Sequence, residues 1–215
     1  MIPNENVKTF PLKEVPHYKV HGRTDRSQEL LPLFWNGSAI EVNVTGSELW
    51  IDIDVDFDVH EPWVCCAVNG AIMSRQMLMP GSYSLCLFRG MNPENVKNVQ
   101  FIRELQAMSE DDACLILIRG LRADGDFLPI PERKFKLEFV GDSITSGEGT
   151  YGAKKEEDWI PMFMSASRNY AFLTAQALDA EARLISQGGW GVLCGWDNNP
   201  HHNIPTYYTQ ICGLP

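Results

Sequence analysis

The chain has 215 residues and a formal net charge of −10, from 18 Lys and Arg against 28 Asp and Glu. That length can bury a core without covalent staples, as one large unit or two small ones. The acidity excludes nucleic acid as a partner, since phosphate backbones demand clustered Lys and Arg. With no long apolar run, no membrane span is expected either.

The opening stretch, MIPNENVKTFPLKEVP, lacks a charged head followed by an apolar segment, so no secretory leader is expected. Up to about Pro131 the chain reads as β. AIEVNVTGSELWIDIDVDFDV alternates apolar and polar residues, with Gly46 and Ser47 turning between two strands. Val42 and Val44 share one face of the first strand. Ile51, Ile53, Val55 and Phe57 share one face of the second, and Asp52, Asp54, Asp56 and Asp58 the other. Such a carboxylate stripe reads as a solvated face before it reads as a calcium site. WVCCAVNGAIMSRQM carries Asn69-Gly70, a strong hairpin signal. GSYSLCLFRG, NVQFIREL and CLILIRGLRADGDFLPI supply further strands. Seven or eight short strands at this spacing predict an antiparallel β-sandwich over residues 1–131. Six cysteines, none in a C-x-x-C pair, read as reduced and mostly buried thiols of a cytoplasmic protein. Cys65 and Cys66, adjacent in a strand, should face opposite ways.

FLPIPERKFK, with two prolines and a charged cluster, marks a change of grammar. Residues 132–215 then read as α/β. KFKLEFVG is a short strand. SRNYAFLTAQALDAEA predicts a helix capped by Ser167, with Tyr170, Leu173, Ala177 and Leu178 on one face. ARLISQGG is a second strand ending in glycine. Strand, turn, helix, strand is the unit of a parallel sheet, and two strands make a sheet that looks cut short.

The first of these strands stops at Val140 and runs into GDSITSGEG. Ser143 thereby falls at the carboxyl edge of a parallel strand, where α/β sites form. A serine hydroxyl is a poor nucleophile without a base to take its proton and donors to receive the developing negative charge. A tight, glycine-flanked turn exposes the side chain and leaves N–H groups free. Asp142 suits holding the turn. An ordinary loop with Ser as a helix cap competes with this reading on the tripeptide alone.

This block resembles the first block of the SGNH (GDSL-like) hydrolases, whose nucleophile is the serine of G-D-S. In that family the second block is a glycine after the second parallel strand, with an oxyanion-hole N–H. Gly189 in LISQGGWGV is the matching position, with Gly188 and Gly191 beside it. The β-rich first half, the proline linker, EFVGDSITSGEG and GGWGV followed by IPTYY together resemble carbohydrate esterase family 2. The resemblance implies a jelly-roll-like sandwich followed by the first part of a flavodoxin-like SGNH domain. It implies removal of acetyl groups from sugars or polysaccharides through an acyl-Ser143 intermediate. Trp190, beside the glycine, could stack on a sugar ring or pack against the sheet edge. IRELQA departs from the Lys-Arg-Thr-Glu-like strand of that family.

The family's G-x-N-D asparagine and its late histidine do not occur in these residues, so both are expected beyond residue 215. His201 and His202 read as loop histidines rather than the base, and His17, His21 and His60 belong to the β half. No cofactor and no metal site are expected, since no His, Cys, Asp or Glu cluster has ligand spacing. A non-catalytic carbohydrate-binding or assembly module competes with the esterase, as does an SGNH lipase or thioesterase. A truncated sheet would expose edges that a second copy of the chain could cover.

Overall fold

The computed structural model describes residues 2–212. Its strands up to residue 128 are β1 (Lys8–Pro11), β2 (Lys19–His21), β3 (Leu31–Pro32), β4 (Ala39–Val44), β5 (Glu48–Asp56), β6 (Trp63–Val68), β7 (Ala71–Met77), β8 (Gly81–Arg89), β9 (Lys97–Arg103), β10 (Leu115–Ala123) and β11 (Phe127–Leu128). They form two antiparallel sheets. One has the order β1-β10-β5-β8, with β3 also on β10. The other has the order β11-β4-β9-β6-β7, with β2 also on β4. The alternation decides which faces meet. Val42, Val44, Val64, Cys66, Val99 and Phe101 of one sheet pack on Ile51, Ile53, Val55, Ile116 and Ile118 of the other in a single buried cluster.

Local chemistry explains the turns and exceptions. Asn69 and Gly70 join β6 to β7 with φ of 51° and 81°, the left-handed pair that a two-residue hairpin requires. Cys66 faces the sandwich core while Cys65 faces outward against Ile102 and Phe172. Burial pushes the Cys66 thiol up to about 12. Cys65, Cys66, Cys86, Cys114 and Cys194 are free thiols, and of these Cys65, Cys66 and Cys114 are buried. The aspartate stripe is not simply solvated. Asp52 is buried, accepts from Arg122 Nε at 2.9 Å and from Ser84, and Asp54 lies 2.9 Å from Arg119. The cross-strand arginines of β10 pair with Asp52 and Asp54, while Asp56 and Asp58 stay exposed to solvent.

On the outer face of the second sheet, buried Glu41 accepts from His21, from Asn98 at 2.7 Å and from Arg133 at 3.0 Å. Burial works to raise this carboxyl, but the His21, Asn98 and Arg133 contacts bring it down to about 2. The sign follows directly. A carboxyl depressed in the folded state adds stability above its ordinary pKa of 4.5, and that stability is lost as pH falls toward 2. Glu41→Gln should therefore cost about 1–3 kcal/mol at pH 6. Urea midpoints for the two proteins should converge between pH 4.5 and 2. A gap that stayed constant would mean that the carboxylate's charge is not what stabilises the fold.

After the linker come β12 (Phe135–Gly141), α1 (Ser143–Ser146), α2 (Tyr170–Ala177), β13 (Ala180–Ser186) and α3 (Ile204–Tyr207). β12 and β13 pair in parallel, with Phe135 opposite Ala180 and Gly141 opposite Ser186. The predicted helix is shorter and turned differently. Asn169, not Ser167, caps it by accepting from Phe172 N, because the helix begins at Tyr170, while the Ser167 N–H and hydroxyl donate to Glu104. Ala171 and Ala175 face inward with Phe172 beside them. Tyr170, Leu173 and Leu178 stay about half exposed, contrary to the face expected from their spacing. Small alanines are what let this helix sit close over β13. No helix among the described residues is long and apolar enough to cross a membrane.

Candidate active site

Ser143 is the first residue of α1, two positions past the end of β12. Asp142 caps α1 by accepting from Ile144 N at 3.1 Å, as its type and position suggested. This leaves the Ser143 N–H without a hydrogen-bond acceptor among the described residues. The Ser143 side chain is half-buried and Ile144 beside it is 71% exposed, so the turn opens to solvent. Below it the turn rests on a buried hydrogen-bond network. Ser146 Oγ donates to Ser186 Oγ at 3.0 Å, which donates to Asn36 Oδ1 at 3.0 Å. The Thr145 carbonyl accepts from Asn169 Nδ2 and Asn36 Nδ2. Buried hydroxyls and amides from three segments thus fix the strand-end turn.

β13 delivers the glycine loop beside it. Neighbouring parallel strands lie roughly 4.8 Å apart, and Gln187 N donates back to Gly141 O at 3.3 Å. The three glycines differ in what their N–H groups do. Gly188 N donates to Gln106 Oε1 at 2.8 Å, and Gly191 N to Cys194 O at 3.1 Å. The Gly189 N–H has no acceptor among the described residues. Gly189 also has a φ of 76°, a left-handed conformation that favours glycine, and a Cβ there would stand 2.5 Å from Cδ1 of the exposed Trp196.

The carboxyl of Glu148 rests directly on the Gly188 Cα, where an added Cβ would overlap its Oε1. Burial raises the Glu148 carboxyl above its usual range, with Asp142 adding to the shift and a hydrogen bond from Trp159 opposing it. Nothing in SGEG marked this residue beyond its charge. Gln106 and Glu104, in the IRELQA segment, were likewise missed. Glu104 accepts from Ser165 Oγ at 3.0 Å, Ser167 N at 2.9 Å and Ser167 Oγ at 2.6 Å.

Trp190 is not an open sugar platform. It is 5% exposed, stacked on His202 at 4.7 Å and packed with Trp35, Ile185 and Tyr207. The packed reading of the indole is the one realised, because α3 and the His202 loop fold back over it. The exposed indole of this loop is Trp196, at 85%. His202 has its Nδ1 3.6 Å from Asp197 and its Nε2 3.3 Å from Asn199. His201 is exposed and His21 is tied to Glu41. No histidine among the described residues hydrogen-bonds Ser143. A cleft of about 810 Å³ lies between the outer sandwich face and α2, lined by Glu41, Asn98, Gln100, Arg133 and Phe172.

An antiparallel two-sheet sandwich joined to a β-α-β unit, with serine and glycine loops side by side at the strand ends, is the arrangement of SGNH-type esterases that carry an N-terminal β domain. The comparisons with known proteins agree. The chain matches an acetyl xylan esterase, Est2A, from the rumen bacterium Butyrivibrio proteoclasticus, at 51% identity and a TM-score of 0.92, over 96% of this chain and 56% of that one. It matches the structure of a family two carbohydrate esterase from Cellvibrio japonicus at 25% identity and a TM-score of 0.81, over 96% and 60% of the two chains. In sequence it is 27% identical over 207 residues to an acetylxylan esterase / glucomannan deacetylase of Cellvibrio japonicus, 92% of this chain and 54% of that protein. No family model matches. The chain spans about half the length of these relatives. The resemblance to carbohydrate esterase family 2 therefore holds across nearly the whole chain, and the relatives are carboxylic ester hydrolases.

Proposed function

We propose that this chain is the sandwich and nucleophile-bearing part of a carbohydrate O-acetyl esterase. Residues 1–131 would form the β domain and residues 132–215 the first portion of the SGNH domain. Ser143 Oγ attacks the acetyl carbonyl carbon and gives its proton to a general base. The tetrahedral oxygen gathers negative charge and is received by the Gly189 N–H and the Ser143 N–H. The bond to the sugar oxygen then breaks, that oxygen takes the proton, and water releases acetate from acyl-Ser143. The base and a third oxyanion donor come from residues beyond 215. Two facts support this: the relatives are nearly twice as long, and no described histidine hydrogen-bonds Ser143.

The observation that carries the reading is the pairing of an open strand-end serine with a neighbouring unclaimed Gly189 N–H. The test uses the full-length protein and a fluorophosphonate. Covalent mass should appear on the peptide holding Ser143, in step with loss of acetate release from acetylated xylooligosaccharides. Labelling elsewhere, or acetate release that survives full labelling, would sink the assignment.

A further inference from the structure

We propose that Gln106, supplied by the sandwich, is a positioning residue for the oxyanion loop: its side-chain carbonyl holds the Gly188 N–H and so leaves the Gly189 N–H as the donor for the ester oxygen. This rests on the reading of Ser143 as nucleophile. Gln106 is 3% exposed and its Oε1 accepts from Gly188 N at 2.8 Å. Its own backbone carbonyl accepts from Arg103 Nη2 at 3.2 Å. The next residue, Ala107, takes the Gln187 side-chain amide at 2.7 Å. Consecutive sandwich residues therefore hold consecutive loop residues.

The need for such a holder follows from the loop's composition. Two adjacent glycines have the widest choice of backbone angles, and a wandering loop would present either N–H, or neither, to the substrate. Glu148 also packs against Gly188, where an added Cβ would meet it. Gly188 is thus held by an acceptor for its N–H and by side-chain contact at its Cα. Hydrolysis depends on donors aimed before the charge appears, and a displacement of about 1 Å can cost roughly 100-fold in rate. Without Gln106, a polar N–H stands unpaired beside the free one, and the peptide is driven to rotate toward another acceptor.

The experiment uses the full-length protein. Gln106→Met keeps the volume and removes the acceptor. It should lower kcat on p-nitrophenyl acetate by about 10- to 100-fold with KM little changed. The rate of Ser143 phosphonylation by a fluorophosphonate should fall by a similar factor, since that reaction also loads charge onto the oxyanion donors. Gln106→Glu retains an acceptor oxygen and should recover most of kcat. Unchanged kcat in the Met variant overturns the proposal. So does an equal loss in both variants that tracks a fall in melting temperature, which would mean a purely structural role. A wild-type protein that is neither active nor labelled would instead remove the Ser143 reading, and this proposal with it.

Discussion

Ser143→Ala in the full-length protein should lower acetyl ester hydrolysis by about three to six orders of magnitude. The fold should be unaffected, because no described side chain uses the Ser143 hydroxyl and alanine suits the first position of α1. The residual rate should exceed that of water, since the Gly189 and Ser143 N–H groups remain in place. Steady-state acetate release and a far-ultraviolet circular dichroism spectrum would check both halves. Near-normal turnover would take Ser143 out of the chemistry.

The largest expected loss of stability lies at Arg103. This side chain is 1% exposed and is met by backbone rather than by a carboxylate. It donates from Nε to Leu105 O at 3.0 Å, from Nη1 to Leu33 O at 2.8 Å and Cys114 O at 3.2 Å, and from Nη2 to Gln106 O at 3.2 Å. Arg103→Leu leaves all four carbonyls without their guanidinium donor and removes the Nη2 contact to Cys114 Sγ at 3.5 Å. A cost of about 3–5 kcal/mol follows, which for a chain of this size is a drop of roughly 10 °C in melting temperature. Thermal unfolding would show it. A drop within 2 °C, written as about a single kcal/mol, would mean that water or a backbone shift replaces the guanidinium.

Much of this was legible in the residues, for definite reasons. Period-two alternation placed Val42, Ile51 and Ile53 in the core, and Asn69-Gly70 placed its hairpin, because each signal is local and one-dimensional. The strand-end serine and the following glycine loop were legible from order along the chain. What escaped depended on contacts across long separations. Ser167 could not be known to be occupied until Glu104 was seen to reach it, 63 residues away in sequence. Trp190 was undecidable because stacking on His202 needs the whole return of the 195–207 segment. One signal was available and unread. In NVQFIREL the inward alternation of Val99 and Phe101 continues to Arg103, and an arginine at a core position announces a buried carbonyl cage.

The short run from Arg103 to Gln106 has a consequence for inheritance. It belongs by sequence to the first half of the chain, yet it grips Ser165, Ser167 and Gly188 in the second. The two halves are therefore poor cassettes. A splice at the proline linker would yield two segments of reasonable composition, but the transplanted second half would arrive without the glutamate that seats its helix entry and the glutamine that seats its glycine loop. Recombination could succeed only by carrying both halves together, or by finding a new sheet one of whose strands happens to end in the same four-residue grip.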